Sequence, residues 1–223
     1  MTLAKRVALK LRSRKYNRHK NKDFDKLMQS VQYFVEKNKP VHVVGYWGVC
    51  DKRGVCERDM DSLEVLNGIN LSVKEIYELG IRFTFIIADS HAEMNGYTES
   101  EFSSYISGIK NLFDRYENVD YVLLSDLRKE IDFGGVDGVV FSPNPILDKM
   151  LLSGANRLFK GDPVEGIKLY VKTRVSETMI FDKKFPNSIF FTYNHPAYTT
   201  LFPKMSVLHL YSGSGTTKPP WLK

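Results

Sequence analysis

The chain has 223 residues, 43% of them apolar and 13% aromatic, enough to bury the core of one α/β domain and short for two. No run approaches the roughly 18 consecutive apolar residues of a membrane span, and the N-terminus lacks the apolar centre of a signal peptide, so a cytoplasmic protein without a membrane partner is expected. The net charge of +6 is concentrated at one end, because Lys5, Arg6, Lys10, Arg12, Arg14, Lys15, Arg18, Lys20 and Lys22 all precede the first acid, Asp23.

That basic run, which also carries Tyr16 and His19, has two readings. It matches the footprint of a phosphate-backbone contact, and equally a solvated, partly frayed arm. It is set apart as an arm over 1–22, with a single Rossmann-like α/β catalytic domain over 23–223. Cys50 and Cys56 are too few for a disulfide framework and too widely spaced for a zinc knuckle, which leaves reduced thiols and no metal.

From Asp23 to Lys37, apolar residues at Phe24, Leu27, Met28, Val31, Phe34 and Val35 recur every three or four positions and predict an amphipathic helix. Pro40 ends it. Val41 to Val44 reads as a buried strand broken at Gly45-Tyr46-Trp47-Gly48, where glycine would permit close backbone approach and Trp47 could stack a base or a side chain. This turn has neither the dinucleotide fingerprint nor a phosphate loop, and no cofactor is expected from it. Arg58 to Leu79 is helical, and Phe83 to Ala88 is an apolar run without alternation, the mark of a strand covered on both faces.

Thr98 with Glu101 makes a capping box for a helix reaching Tyr116. Tyr121 to Leu124 is a third strand, Asp132 to Pro145 a loop, and Asp148 to Lys160 and Val164 to Phe181 are helices. Ser188 to Tyr193 and Met205 to Tyr211 complete the strands. The expected fold is a Rossmann-like parallel sheet with helices on both faces, in which ligands bind beyond the carboxyl ends of the strands.

Two groups of residues carry the chemistry in that frame. Asp89, His91, Glu93 and Asn95 follow the second strand: Asp89 could hold a substrate ammonium or cap the next turn, and His91 could move a proton or be structural. Tyr170, Arg174 and Glu177 share one helix face at i, i+4 and i+7, and Tyr193, Asn194 and His195 end a strand that Pro196 stops.

Ala88-Asp89-Ser90-His91-Ala92-Glu93-Met94-Asn95 resembles the strand-end motif of archaeal-type tyrosyl- and tryptophanyl-tRNA synthetases, and Pro203-Lys204-Met205-Ser206 resembles the lysine-methionine-serine loop of class I synthetases. Tyr170 and Tyr193-Asn194-His195 are similar in order and spacing to the catalytic tyrosines of cyclodipeptide synthases. Arg174 stands at that family's glutamate, and Gly45-Tyr46-Trp47-Gly48 lacks its serine. Phe185-Pro186-Asn187-Ser188-Ile189 and Lys218-Pro219-Pro220-Trp221 resemble the isocyanide synthases. The resemblance implies a class I synthetase-like fold and acyl transfer from aminoacyl-tRNA, with Tyr170, Tyr193, His91, His195 and Arg174 catalytic. Gly45, Trp47, Asp89, Glu93, Asn95 and Glu177 would bind the amino-acid substrate, and the nine cations would bind tRNA. Cys50, or no covalent nucleophile, would replace the serine. An isocyanide synthase acting on a free amino acid, or a non-catalytic RNA-binding protein, are the alternatives.

Overall fold

The computed structural model describes residues 1–19, 23–48, 54–91, 97–130, 145–158, 161–193, 196–197 and 205–211. Among these, the elements run α1 (Leu3–Leu11), α2 (Phe24–Glu36), β1 (Val41–Trp47), α3 (Glu57–Lys74), β2 (Ile81–Ile87), a 3₁₀ turn (Asp89–His91), α4 (Glu99–Phe113), β3 (Val119–Leu123), α5 (Leu124–Lys129), α6 (Pro145–Leu158), α7 (Pro163–Lys184), β4 (Ile189–Thr192) and β5 (Ser206–His209).

The strands form one sheet in the order β3-β2-β1-β4-β5, and every neighbouring pair is parallel. The chain travels outward from β1 to β3 through α3 and α4, then returns through α5, α6 and α7 to the other side of β1. Alternate strand residues feed two cores, as the pleat requires. Val43, Phe83, Phe85, Ile87 and Phe191 pack with α1 to α4, whereas Val44, Ile86, Phe190 and Val207 pack with α5 to α7. Such doubly covered strands need no polar face, which is why their sequences do not alternate.

The helix starts follow local rules. Asp23 caps α2 through the Lys26 amide at 3.0 Å. Thr98 and Glu101 form the expected reciprocal box at α4. Asp162 accepts from the Val164 and Glu165 amides, with Pro163 at the first position of α7, where its missing N–H costs nothing.

Three expectations change. Residues 3–11 are a helix built into the core, since Ala4, Val7, Ala8 and Leu11 are buried against α2 and α3. The arm is therefore part of the fold rather than a solvated tail. β1 does not stop at Val44 but continues through Trp47, pairing with β2 as far as Trp47 opposite Ile87. β3 begins at Val119, and Leu124 already belongs to α5. The expected loop at Asp132 to Pro145 lies almost wholly outside the described residues.

Gly45 is not a place for ligand approach. A Cβ there would stand 2.6 Å from Cδ1 of Phe191, a ring that is 1% exposed. Gly45→Ala is expected to destabilise the protein by about 1–3 kcal/mol through overpacking. Chemical denaturation measures this, and an unchanged midpoint would show that the Phe191 ring is free to move.

His42 crosses three strands near their amino ends. Its Nδ1 lies 2.7 Å from the Ser188 hydroxyl and its Nε2 2.8 Å from the Thr84 hydroxyl. Burial pushes its pKa below the ordinary imidazole value, with Asp120 opposing and Arg82 reinforcing the shift. The unfolded chain therefore binds a proton more readily than the folded one below about pH 6.5, the ordinary histidine value. Stability is expected to fall as pH drops from there toward the lower folded pKa. His42→Gln should flatten that part of the pH–stability profile, and equal slopes for parent and variant would contradict it.

Candidate functional site

The sheet reverses its winding between β1 and β4, and the carboxyl ends of those two strands flank the crevice where open α/β sheets bind ligands. Tyr193 directly follows β4 and leans on the α1–α4 core. Its hydroxyl oxygen is buried and makes no hydrogen bond among the described residues. Burial drives its pKa well above the ordinary phenol value; nearby Ser62 and Arg58 offset this only in part, and Asp59 adds to it. At neutral pH the group is a phenol, a donor awaiting an acceptor.

Beside it lies a buried carboxylate that the sequence reading missed. Asp59, 3% exposed, accepts from the Trp47 indole at 3.0 Å, the Tyr105 hydroxyl at 2.8 Å and the Cys56 amide at 3.0 Å. Three donors satisfy a buried charge that would otherwise be costly. Together they fasten the amino end of α3 to the carboxyl end of β1. The local signal was present, because Cys56 and Asp59 have the i, i+3 spacing of a capping box. Nothing in the sequence paired Asp59 with Trp47 or Tyr105.

Trp47 consequently cannot stack a base. It is 4% exposed, committed to Asp59 through its N–H and packed on Phe85 and Phe113. An apolar residue ending a strand covered on both faces is drawn inward, and here the indole N–H found a buried partner.

Asp89 sits beyond β2 as expected, and its Oδ1 accepts the Ser90 amide at 2.8 Å and the Ser125 amide at 2.9 Å. The first of these bonds is within the turn that Asp89 opens, and the second ties the end of β2 to the start of α5. Among the described residues Oδ2 takes no hydrogen bond, and the Ser90 hydroxyl is buried with none. The His91 and Arg174 side chains, and Glu93, Asn95 and His195 entirely, lie outside the described residues.

The second group divides. Tyr170 is 3% exposed in the α5–α7 core, across the sheet from Tyr193. The two tyrosines expected to act on one acyl group thus lie in different cores, because α7 covers the face that Tyr193 turns away from. Glu177 is fully buried and pairs with Arg128 of α5 at 3.0 Å, so it fastens two helices rather than binding substrate.

The basic residues are placed by a device absent from the sequence reading. Tyr16 is buried and donates to the Gly68 carbonyl at 3.0 Å. Asn17 bridges Leu210 in antiparallel fashion, the Arg18 amide bonds the His209 carbonyl at 2.8 Å, and the Tyr211 amide bonds the Tyr16 carbonyl at 3.0 Å. Residues 16–18 thus lie alongside the carboxyl end of β5, the edge of the sheet that also carries Tyr193. Lys5, Arg6, Arg14, Lys15 and Arg18 are exposed. Lys10 pairs with Glu75 at 2.6 Å, and Arg12 lies over the Phe24 ring. Lys20 and Lys22 lie outside the described residues. Among the described residues no cluster of His, Cys, Asp and Glu could hold a metal ion, and no helix is long and apolar enough to cross a membrane.

No protein-family model and no curated protein matches the sequence. Among solved structures, the PvcA protein from Pseudomonas aeruginosa is similar over 99% of this chain and 87% of its own, at 15% identity and a TM-score of 0.67. A tyrosyl-tRNA synthetase from Leishmania major, in complex with tyrosinol, is similar over 84% of this chain and 35% of its own, at 13% identity and a TM-score of 0.47. A tryptophanyl-tRNA synthetase homolog from Entamoeba histolytica matches 99% of this chain and 63% of its own, at 10% identity and a TM-score of 0.47. The chain spans about a third of the tyrosyl synthetase. The likeness to PvcA is one of fold: a Rossmann-like parallel α/β sheet covered by helices on both faces.

Proposed function

We propose that the chain is a cytoplasmic aminoacyltransferase of the cyclodipeptide-synthase kind, which takes an amino acid presented on tRNA and joins it to a second amino group. The observation that carries this reading is the seating of Arg14, Lys15 and Arg18 beside the carboxyl end of β5, on the same sheet edge as the Tyr193 phenol, whose hydroxyl makes no hydrogen bond among the described residues. A tRNA lying on those cations would bring its aminoacyl end toward that edge.

The transfer needs no ATP, since the ester on tRNA is already activated. The attacking amine forms the new C–N bond, the ester C–O bond breaks, and the departing tRNA oxygen takes up a proton. Tyr193, held neutral, would donate to the carbonyl oxygen as it gains negative charge, in a site dry enough for one hydrogen bond to count. Asp89 Oδ2 would receive a substrate ammonium, and His91 or His195 would carry the proton. The Asp59 cluster would hold the amino end of α3 against this edge.

The structural part played by α1 favours a second reading, because its apolar face gives that segment a reason to exist without any nucleic acid. An isocyanide synthase acting on a free amino acid would need no tRNA. The experiment is incubation of the purified protein with charged tRNA, or separately with free amino acids, followed by mass spectrometry. A cyclic dipeptide that forms only from charged tRNA supports the transfer reading. Product from the free amino acid alone overturns it, and no product from either condition, with RNA retained, leaves the non-catalytic RNA-binding protein.

A further inference from the structure

The crevice between β1 and β4 has a wall that the transfer mechanism leaves unused. Trp47 and Tyr193 each stand two residues past the paired Gly45 and Phe191, on the α1–α4 side of neighbouring strands. Asp59 fastens the first turn of α3 to Trp47, and this carries its neighbour Arg58 to the same strand ends. Arg58 is half-buried and makes no hydrogen bond and no ion pair among the described residues, although its charge reaches the Tyr193 phenol. Asp59 is engaged by Trp47, Tyr105 and the Cys56 amide rather than by Arg58. Ser62, 4% exposed, follows one turn later on the helix face of Arg58. A guanidinium in the first turn of an 18-residue helix is repelled by the positive end of the dipole, and half-burial weakens its hydration. An anion bound there removes both costs.

The geometry points to Arg58 as the residue that binds the carboxylate of a free α-amino acid in this crevice, with Asp89 Oδ2 taking its ammonium. A planar guanidinium meets a carboxylate in two parallel hydrogen bonds, and the Ser62 hydroxyl is a further donor on the same wall. The opposite charge is at hand, because the Ala88 amide bonds the Trp47 carbonyl at 3.0 Å and so sets Asp89 immediately beyond the end of β1. A cation and a carboxylate oxygen at adjacent strand ends, neither hydrogen-bonded among the described residues, select a zwitterion over a simple anion. A phosphate backbone is disfavoured here. Glu57, Asp61 and Glu64 make the outer surface of this part of α3 acidic, whereas the exposed Arg14, Lys15 and Arg18 lie beside β5. The role of Asp89 rests on the reading above, but that of Arg58 does not: an amino acid held here is the acceptor amine of the transfer and equally the substrate of the second reading.

The test is calorimetric titration of the full chain with each standard L-amino acid, and then with the carboxamide of the tightest binder. Saturable binding is expected at or below about 10 mM, with the carboxamide weaker by about tenfold or more. Arg58→Met should weaken the acid by the same factor and leave the carboxamide unchanged, so that the two bind alike, and Arg58→Lys should keep part of the preference. Arg58 gives up no described bond, so thermal melting should be unchanged in both variants. No saturable binding by any amino acid, or a preference for acid over carboxamide that survives in Arg58→Met, would overturn the proposal. The titration contains no tRNA, which separates it from the reaction. Arg58-dependent binding without transfer from charged tRNA supports this site and refutes the transfer reading, and transfer without such binding does the reverse.

Discussion

Tyr193→Phe is expected to lower acyl transfer by about 10²- to 10³-fold, the loss typical of one donor to a developing oxyanion, while leaving the melting temperature unchanged or slightly raised. The two readouts separate the roles. A buried hydroxyl that makes no hydrogen bond among the described residues adds nothing to folding and carries a desolvation cost, so deleting it should not destabilise. A tyrosine whose hydroxyl served only the structure would show the reverse, lost stability with retained turnover. The kcat for transfer from charged tRNA, compared with thermal melting of the same preparations, decides between them, and full activity in Tyr193→Phe would remove the phenol from the mechanism.

Replacing Arg14, Lys15 and Arg18 together by glutamine should weaken tRNA binding by about a hundredfold near 0.15 M salt and reduce the slope of log K against log salt by about 2 to 3, the contribution of three phosphate contacts. These side chains are exposed, so the fold should survive. Deleting residues 1–22 would be the wrong experiment, because it removes Val7, Ala8, Leu11 and Tyr16 from the core, each 7% exposed or less. Affinity and salt slope equal to the parent's would mean that tRNA, if bound at all, lies elsewhere. The same variant acting on a free amino acid as well as the parent does would point to the second reading.

Much of the framework was legible because it follows from local chemistry. Unalternating apolar runs at Val41 and Phe83 marked strands covered on both faces, and the Thr98–Glu101 pair marked the start of α4. The three- and four-residue spacing in 24–35 marked α2. The same spacing was present in Ala4, Val7, Ala8 and Leu11, yet the charges between them pointed to a basic arm, nucleic-acid-binding or solvated, rather than to a packed helix. Helical periodicity was the better guide, since long cations reach water from a helix whose other face is buried.

By itself, the sequence determined the parallel α/β class, the order of most elements and the edge at which Asp89 and Tyr193 emerge, because periodicity, caps and turns act within a few residues. Only the tertiary structure decided which groups meet. It joined Trp47 to Asp59 and Tyr105, filled the space at Gly45 with Phe191, paired Glu177 with Arg128, and set Tyr170 and Tyr193 on opposite faces. It also laid Tyr16 to Arg18 beside β5 and brought Arg58 to Tyr193. Those partners lie between 12 and 195 residues apart in sequence. Their meeting depends on strand order and pleat parity, quantities that no local window contains.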